Sequence, residues 1–217
     1  MRFKDRREAG EMLAMKLRHL RKEKPIVYAL PRGGVIVAAP VAQALNAPLD
    51  LIIVRKIGHP ANPEYAVCAV TESGELLCNE EERKQFDAAW FREETKRGRE
   101  EAARRRSTYL ERASLPPTGR TAIIVDDGVA TGLSVSLAVR EVRKGNPRSI
   151  VVAVPVAPAD IAQVLALEAD ECVILEVAKP FLGAIGSYYD DFGQVSDAEV
   201  IAALRAAPHS EASEKTL

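Results

Sequence analysis

The segment that most narrows what this chain can fold into runs Thr121-Ala-Ile-Ile-Val-Asp-Asp-Gly-Val-Ala-Thr-Gly-Leu-Ser134. Ile123, Ile124 and Val125 form a short β-branched run of the kind that makes a strand buried on both faces, as in a parallel sheet. Asp126 and Asp127 end that strand, and a loop of small residues follows. From Val135 the apolar residues Val135, Ala138, Val139 and Val142 recur at the spacing of one helix face. The unit is therefore strand, acidic pair, small-residue loop, helix. Backbone N–H groups of a Gly- and Thr-rich loop entering a helix form an anion site suited to phosphate. Two carboxylates beside it call for a neighbouring diol, a metal ion, or both. A phosphorylated ribose has both ends. The alternative is that the acids only cap the helix, but the C-terminal end of a buried strand is where open α/β sheets place ligands.

The rest of the chain repeats this grammar. Ile26–Leu30 reads as a strand, followed by Pro31-Arg32-Gly33-Gly34 and an apolar helix over Val35–Leu45. Glycines allow close backbone approach, and Arg32 offers a planar fork for phosphate oxygens. A plain turn with a surface arginine is the other reading of that loop. Leu49–Val54 is a third strand, and it runs into a basic loop, Arg55-Lys56-Ile57-Gly58-His59-Pro60-Ala61-Asn62-Pro63. That loop reads equally as a lid over a polyanion or as an ordinary connection. Tyr65–Val70 and Glu75–Cys78 form a hairpin. Strands at Ile150–Val154 and Cys172–Leu175 flank a loop over Pro155–Pro158 and a helix over Asp160–Leu167, with Ile161, Val164 and Leu165 inward. The alternation predicts an α/β fold, a mainly parallel twisted sheet with helices on both faces.

Three segments stand outside the alternation. An N-terminal helix over Arg6–Arg21 is announced by Asp5 and Glu8 in a capping-box arrangement. A long helical insertion, about 79–113, carries almost nothing apolar between Arg92 and Glu101 and is exposed or broken near Gly98. Its Arg104-Arg105-Arg106 run is interleaved with glutamates and reads as an ion-paired, solvated face. A hood over about 179–196 holds Phe181, Tyr188, Tyr189, Asp190, Asp191 and Phe192, either core aromatics or a platform for a ring. One domain over residues 1–208 and a frayed tail over 209–217 are expected.

Composition sets few further bounds. A net charge of −1 gives no overall pull toward nucleic acid or membrane. Three cysteines, Cys68, Cys78 and Cys172, have no CxxC spacing, and their odd number argues against a disulfide framework. A reducing, cytoplasmic setting is expected, with no signal peptide and no transmembrane run. The scarcity of Asn and Gln beside abundant Arg and Glu is the bias of a heat-adapted source. No Gly-x4-Gly-Lys-Ser/Thr motif is present, which disfavours a P-loop kinase.

With these residues in hand, Ile123 to Gly132 resembles the phosphoribosyl pyrophosphate (PRPP) signature of type I phosphoribosyltransferases. Leu30-Pro31-Arg32-Gly33-Gly34 is similar to that family's pyrophosphate loop, and Arg55 to Pro60 to the flexible loop of its adenine-type members. The three come in the family's order. The combination Pro-Arg-Gly-Gly, Val-Arg-Lys, Val-Asp-Asp-Gly and Asp-Phe-x-Gln-Val-Ser-Asp is closest to predicted bacterial phosphoribosyltransferases of unassigned acceptor.

The resemblance implies transfer of the 5-phosphoribosyl group from PRPP to a nitrogenous base, with release of pyrophosphate. Asp126, Asp127, Arg32 and Lys56 form the implied catalytic set. Gly128, Val129, Ala130, Thr131, Gly132, Leu133 and Ser134 bind the 5-phosphate side of PRPP beside the two acids. Arg32, Gly33, Gly34, Arg55 and Lys56 hold pyrophosphate, and Mg²⁺ is carried by Asp126 and Asp127 through water. Phe181, Tyr188, Tyr189, Asp190 and Asp191 face the acceptor. Ala130 stands where 6-oxopurine members carry a proton-transferring acid, and His59 where adenine-type members carry a loop lysine, so the acceptor stays open. The expected assembly is a homodimer without nucleic acid or membrane. A non-catalytic PRPP-sensing regulator on the same fold is the alternative.

Overall fold

The computed structural model describes residues 1–60 and 62–208. Ala61 of the basic loop and the expected tail, 209–217, lie outside the described residues. Five strands, β1 (Ile26–Ala29), β2 (Leu49–Leu51), β6 (Thr121–Val125), β7 (Ser149–Pro158) and β8 (Glu171–Ala178), form one sheet in the order β2-β1-β6-β7-β8. Every pairing in it is parallel. The second sheet is antiparallel, β3 (Val54–His59), β4 (Asn62–Thr71) and β5 (Leu76–Cys78).

Strand periodicity divides the core into two layers. Val27, Ala29, Ile123 and Val125 face the helices α1 (Arg6–Leu17), α2 (Gly33–Leu45) and α7 (Asp197–Ala206). The alternate residues Ile26, Tyr28, Ala122 and Ile124 face α5 (Leu133–Lys144) and α6 (Ala159–Glu168). Both faces of β1 and β6 are thus dry, as their uninterrupted apolar runs require. Asp5 caps α1 through a 2.9 Å bond from the Glu8 amide. Ser196 and Glu199 close a reciprocal capping box on α7. Among the described residues no helix is long and apolar enough to cross a membrane.

Several expectations are corrected. The basic loop after Val54 is a strand through His59, paired with β4 to make an arm that projects Lys56. The Pro155–Pro158 loop does not exist, because β7 continues through Pro158. Its ladder with β8 skips Pro155, which has no N–H to give, and resumes at Val156. On α6 only Leu165 is buried, and Val164 is 47% exposed.

The insertion contains α3 (Glu80–Arg83) and α4 (Ala88–Tyr109). α4 passes unbroken through Gly98, where an added Cβ would stand 2.7 Å from Val70 Cγ1, so this glycine serves close packing and not a break. Nor is the arginine run one solvated face. Arg104 and Arg105 pair with Glu101, while Arg106 is buried against Asp50 at 2.7 Å and donates to the Leu51 carbonyl.

Cysteine count is the clearest miss. Cys68 and Cys78 face each other across β4 and β5, 4.1 Å apart at Cα, and form a disulfide. A tally of cysteines cannot see cross-strand register, which here puts two of the three side by side. Cys172 is free, and burial pushes its thiol up.

Candidate active site

β6 delivers Val125 to the C-terminal edge of the sheet, and the next two residues carry the acids. Asp126 Oδ1 accepts from the Asp127 amide at 2.8 Å, and Asp127 Oδ2 accepts from Arg6 Nε at 2.7 Å. Burial away from water and the neighbouring Asp127 charge push the Asp126 carboxyl well above the usual carboxylate range. Burial also raises Asp127, with the Arg6 hydrogen bond opposing the shift. The pair therefore sits in a place that disfavours two uncompensated negative charges and favours a cation beside them.

The following loop is pinned by a 2.9 Å bond from the Val129 amide to the Val156 carbonyl. Gly132 ends it at φ +78°, a left-handed turn that points the chain into α5. This loop and the first turn of α5 wall one side of a cavity of about 310 Å³. Arg6, Lys56, Asp126, Asp127, Ile185 and Phe192 complete the walls. One concave site therefore combines a helix N-terminus, a carboxylate pair and two cations.

The structure distributes the expected site residues unevenly. Asp126, Asp127, Gly128, Val129, Ala130, Thr131, Gly132, Ser134 and Lys56 all line the cavity, whereas Leu133 does not. Gly33 is in the tightest contact of the site, because an added Cβ would fall 1.8 Å from Asp127 Oδ2. Gly34 packs in the same way against the Val125 carbonyl and Asp126. The Arg-Gly-Gly loop is thus moulded onto the acidic pair, although the two lie far apart in sequence. Arg32 turns away. Its Nη1 lies 3.7 Å from Asp197, in a small polar cavity shared with Arg104, Arg105 and Tyr109. Arg55 is half-buried, and desolvation together with the charge of Arg105 lowers its pKa.

In the hood, Phe181 stacks on Tyr188, with ring centroids 5.6 Å apart, and Tyr188 and Tyr189 are buried. The Tyr189 hydroxyl donates to the Asp127 carbonyl at 2.6 Å, so it braces the acid loop from below. Asp190 pairs with Arg2, and Asp191 accepts from the Gly193 amide. None of these five lines the cavity; Ile185 and Phe192 do. Sequence reasoning also missed Arg6. The one available signal was a cation at the first position of a helix, where the dipole disfavours it.

Among the described residues no group of three or more His, Cys, Asp and Glu forms a metal cage. Asp126 and Asp127 are the oxygen donors open to a hard divalent ion, which binds through few carboxylates when a phosphate ligand and water supply the rest.

A family model for the phosphoribosyl transferase domain matches residues 4–190. Two Mycobacterium tuberculosis proteins, from strains CDC 1551 and H37Rv, carry phosphoribosyl transferase names and are each 41% identical over 205 residues. Those matches cover 93% of this chain but only 46% of each relative, so the chain spans about half the length of these curated proteins. The crystal structure of TT1426 from Thermus thermophilus is similar at 44% identity and a TM-score of 0.79, covering 94% of this chain and 98% of that one. With 187 consecutive positions under the family model, the acid pair and its loop included, this chain belongs to the phosphoribosyl transferase family.

Proposed function

We propose that the protein transfers the 5-phosphoribosyl group of PRPP to a nitrogenous acceptor and releases pyrophosphate, with Mg²⁺ bound alongside. The observation that carries this reading is the meeting, in one cavity, of the Asp126–Asp127 pair and the loop entering α5. The loop's N–H groups, with the Thr131 and Ser134 hydroxyls, take the 5-phosphate. Asp126 and Asp127 accept from the ribose hydroxyls and stabilise positive charge developing at C1. Lys56, carried on the β3–β4 arm, and the Gly33 and Gly34 amides take the pyrophosphate end. Arg32 joins them only after leaving Asp197, and Arg55 only after leaving its half-buried place. Ile185 and Phe192 form the apolar wall against which the acceptor rests.

The donor set fits Mg²⁺, because two adjacent carboxylates with raised pKa values gain from a hard cation near them. When bound, the ion neutralises charge on pyrophosphate as it departs. Positioning and fixed electrostatics are what the protein itself supplies. The test is pyrophosphate release from PRPP across purines, pyrimidines and other nitrogen acceptors. Release with at least one acceptor is expected. Tight PRPP binding with no release from any acceptor would assign the chain to PRPP sensing instead.

A further inference from the structure

Arg6 joins three separate parts of the cavity wall. Its Nε donates to Asp127 Oδ2 at 2.7 Å, and its Nη1 donates to the Gly193 carbonyl at 2.9 Å. The guanidinium carbon lies 3.7 Å from the centroid of the Phe192 ring. The side chain is only 12% exposed. It is also one of the atoms a Gly33 side chain would strike, at 2.8 Å from Nε.

The backbone two and three residues before it is tied to the hood as well. The Phe3 amide donates to the Tyr188 carbonyl, and the amides of Asp190 and Asp191 donate to the carbonyls of Phe3 and Lys4. A helix does not gain from a cation in its first turn. A planar fork does suit a site where a carboxylate, a carbonyl and a ring face converge on one group. A lysine has a point charge and cannot satisfy the three together.

We infer that Arg6 is a positioning residue that clasps the ribose-binding acid Asp127 to the Phe192–Gly193 wall. One guanidinium would then set the geometry of both the donor end and the acceptor end of the cavity. The Asp127 part of this inference rests on the proposed function, and the hood part does not.

The experiment compares wild type, Arg6→Ala and Arg6→Lys, using calorimetric titration with Mg²⁺ and PRPP and amide hydrogen exchange over residues 185–193. Arg6→Ala is expected to weaken PRPP binding roughly tenfold. It is also expected to speed exchange over 185–193 by about tenfold. Arg6→Lys restores most of the PRPP affinity, because its charge still reaches Asp127, but not the protection of the hood. A double-mutant cycle with Asp127→Asn should be strongly non-additive, whereas one with Thr131→Ala should be additive. A general folding defect would be repaired equally in both readouts or in neither.

Wild-type PRPP affinity and wild-type exchange in a folded Arg6→Ala protein would overturn the inference. So would additivity with Asp127→Asn. If Asp127→Asn alone leaves PRPP binding intact, the functional reading fails while the exchange arm still decides whether Arg6 clasps the hood.

Discussion

Gly33 and Asp127 illustrate how single atoms govern this site. A methyl group at position 33 would overlap the Asp127 carboxylate, so Gly33→Ala must push the acid or the loop aside. The expected result is a folded protein, destabilised by roughly 1–3 kcal/mol, that loses most of its PRPP affinity. Thermal melting beside calorimetry would show both effects. Asp126 has a raised pKa, so the folded chain holds its proton to higher pH than the unfolded chain does. Stability from this group is therefore fully present below about pH 4, near the unfolded value, and is lost as pH rises toward the folded pKa. Asp126→Asn keeps an acceptor for the Asp127 amide and removes that loss. Without metal or ligand, it should melt higher than wild type at pH 7, with the advantage vanishing at pH 4. Melting curves across that range check the sign, and a constant difference would contradict it. The acid pair and its loop were legible because residue type and local spacing carry them. Arg6 and Ile185 were not, since each reaches the cavity only through packing between distant segments.

At the scale of elements, the insertion carries a buried charge pair, Arg106 with Asp50. Asp50 has no exposed surface, and besides Arg106 it accepts from the amides of Leu51 and Leu115. Arg106→Ala leaves that carboxylate short of its main partner and should cost roughly 3–5 kcal/mol in chemical denaturation. A loss below about 1 kcal/mol, the level of exposed pairs, would show that the other donors suffice. The β4–β5 hairpin carries a second check. Thiol titration of the denatured, unreduced protein should find Cys172 alone, and all three cysteines after reduction. Finding three free thiols before reduction would refute the Cys68–Cys78 bridge. The start of α1 was readable from Asp5 and Glu8, whose cap is local. The β3 strand was not, because Gly58 and His59 look like loop residues until β4 pairs with them across a bulge.

For the whole molecule, the sheet order β2-β1-β6-β7-β8 brings the loops after β1 and β6 to the same edge, since those strands are neighbours. That adjacency packs the two glycines of the Arg-Gly-Gly loop, ordinary by itself, against the acid pair. Alternating strands and helices announced the parallel sheet, yet they said nothing of which loops would meet. The hood packs back over this edge through the N-terminal segment, so two segments far apart in sequence converge on the cavity. The central claim is that this cavity is built around PRPP. Calorimetric titration of PRPP with Mg²⁺ into wild type and into the Asp126→Asn/Asp127→Asn double variant tests it most directly. Saturable binding by wild type that weakens at least about tenfold in the double variant is predicted. Equal affinities for the two proteins would contradict the account.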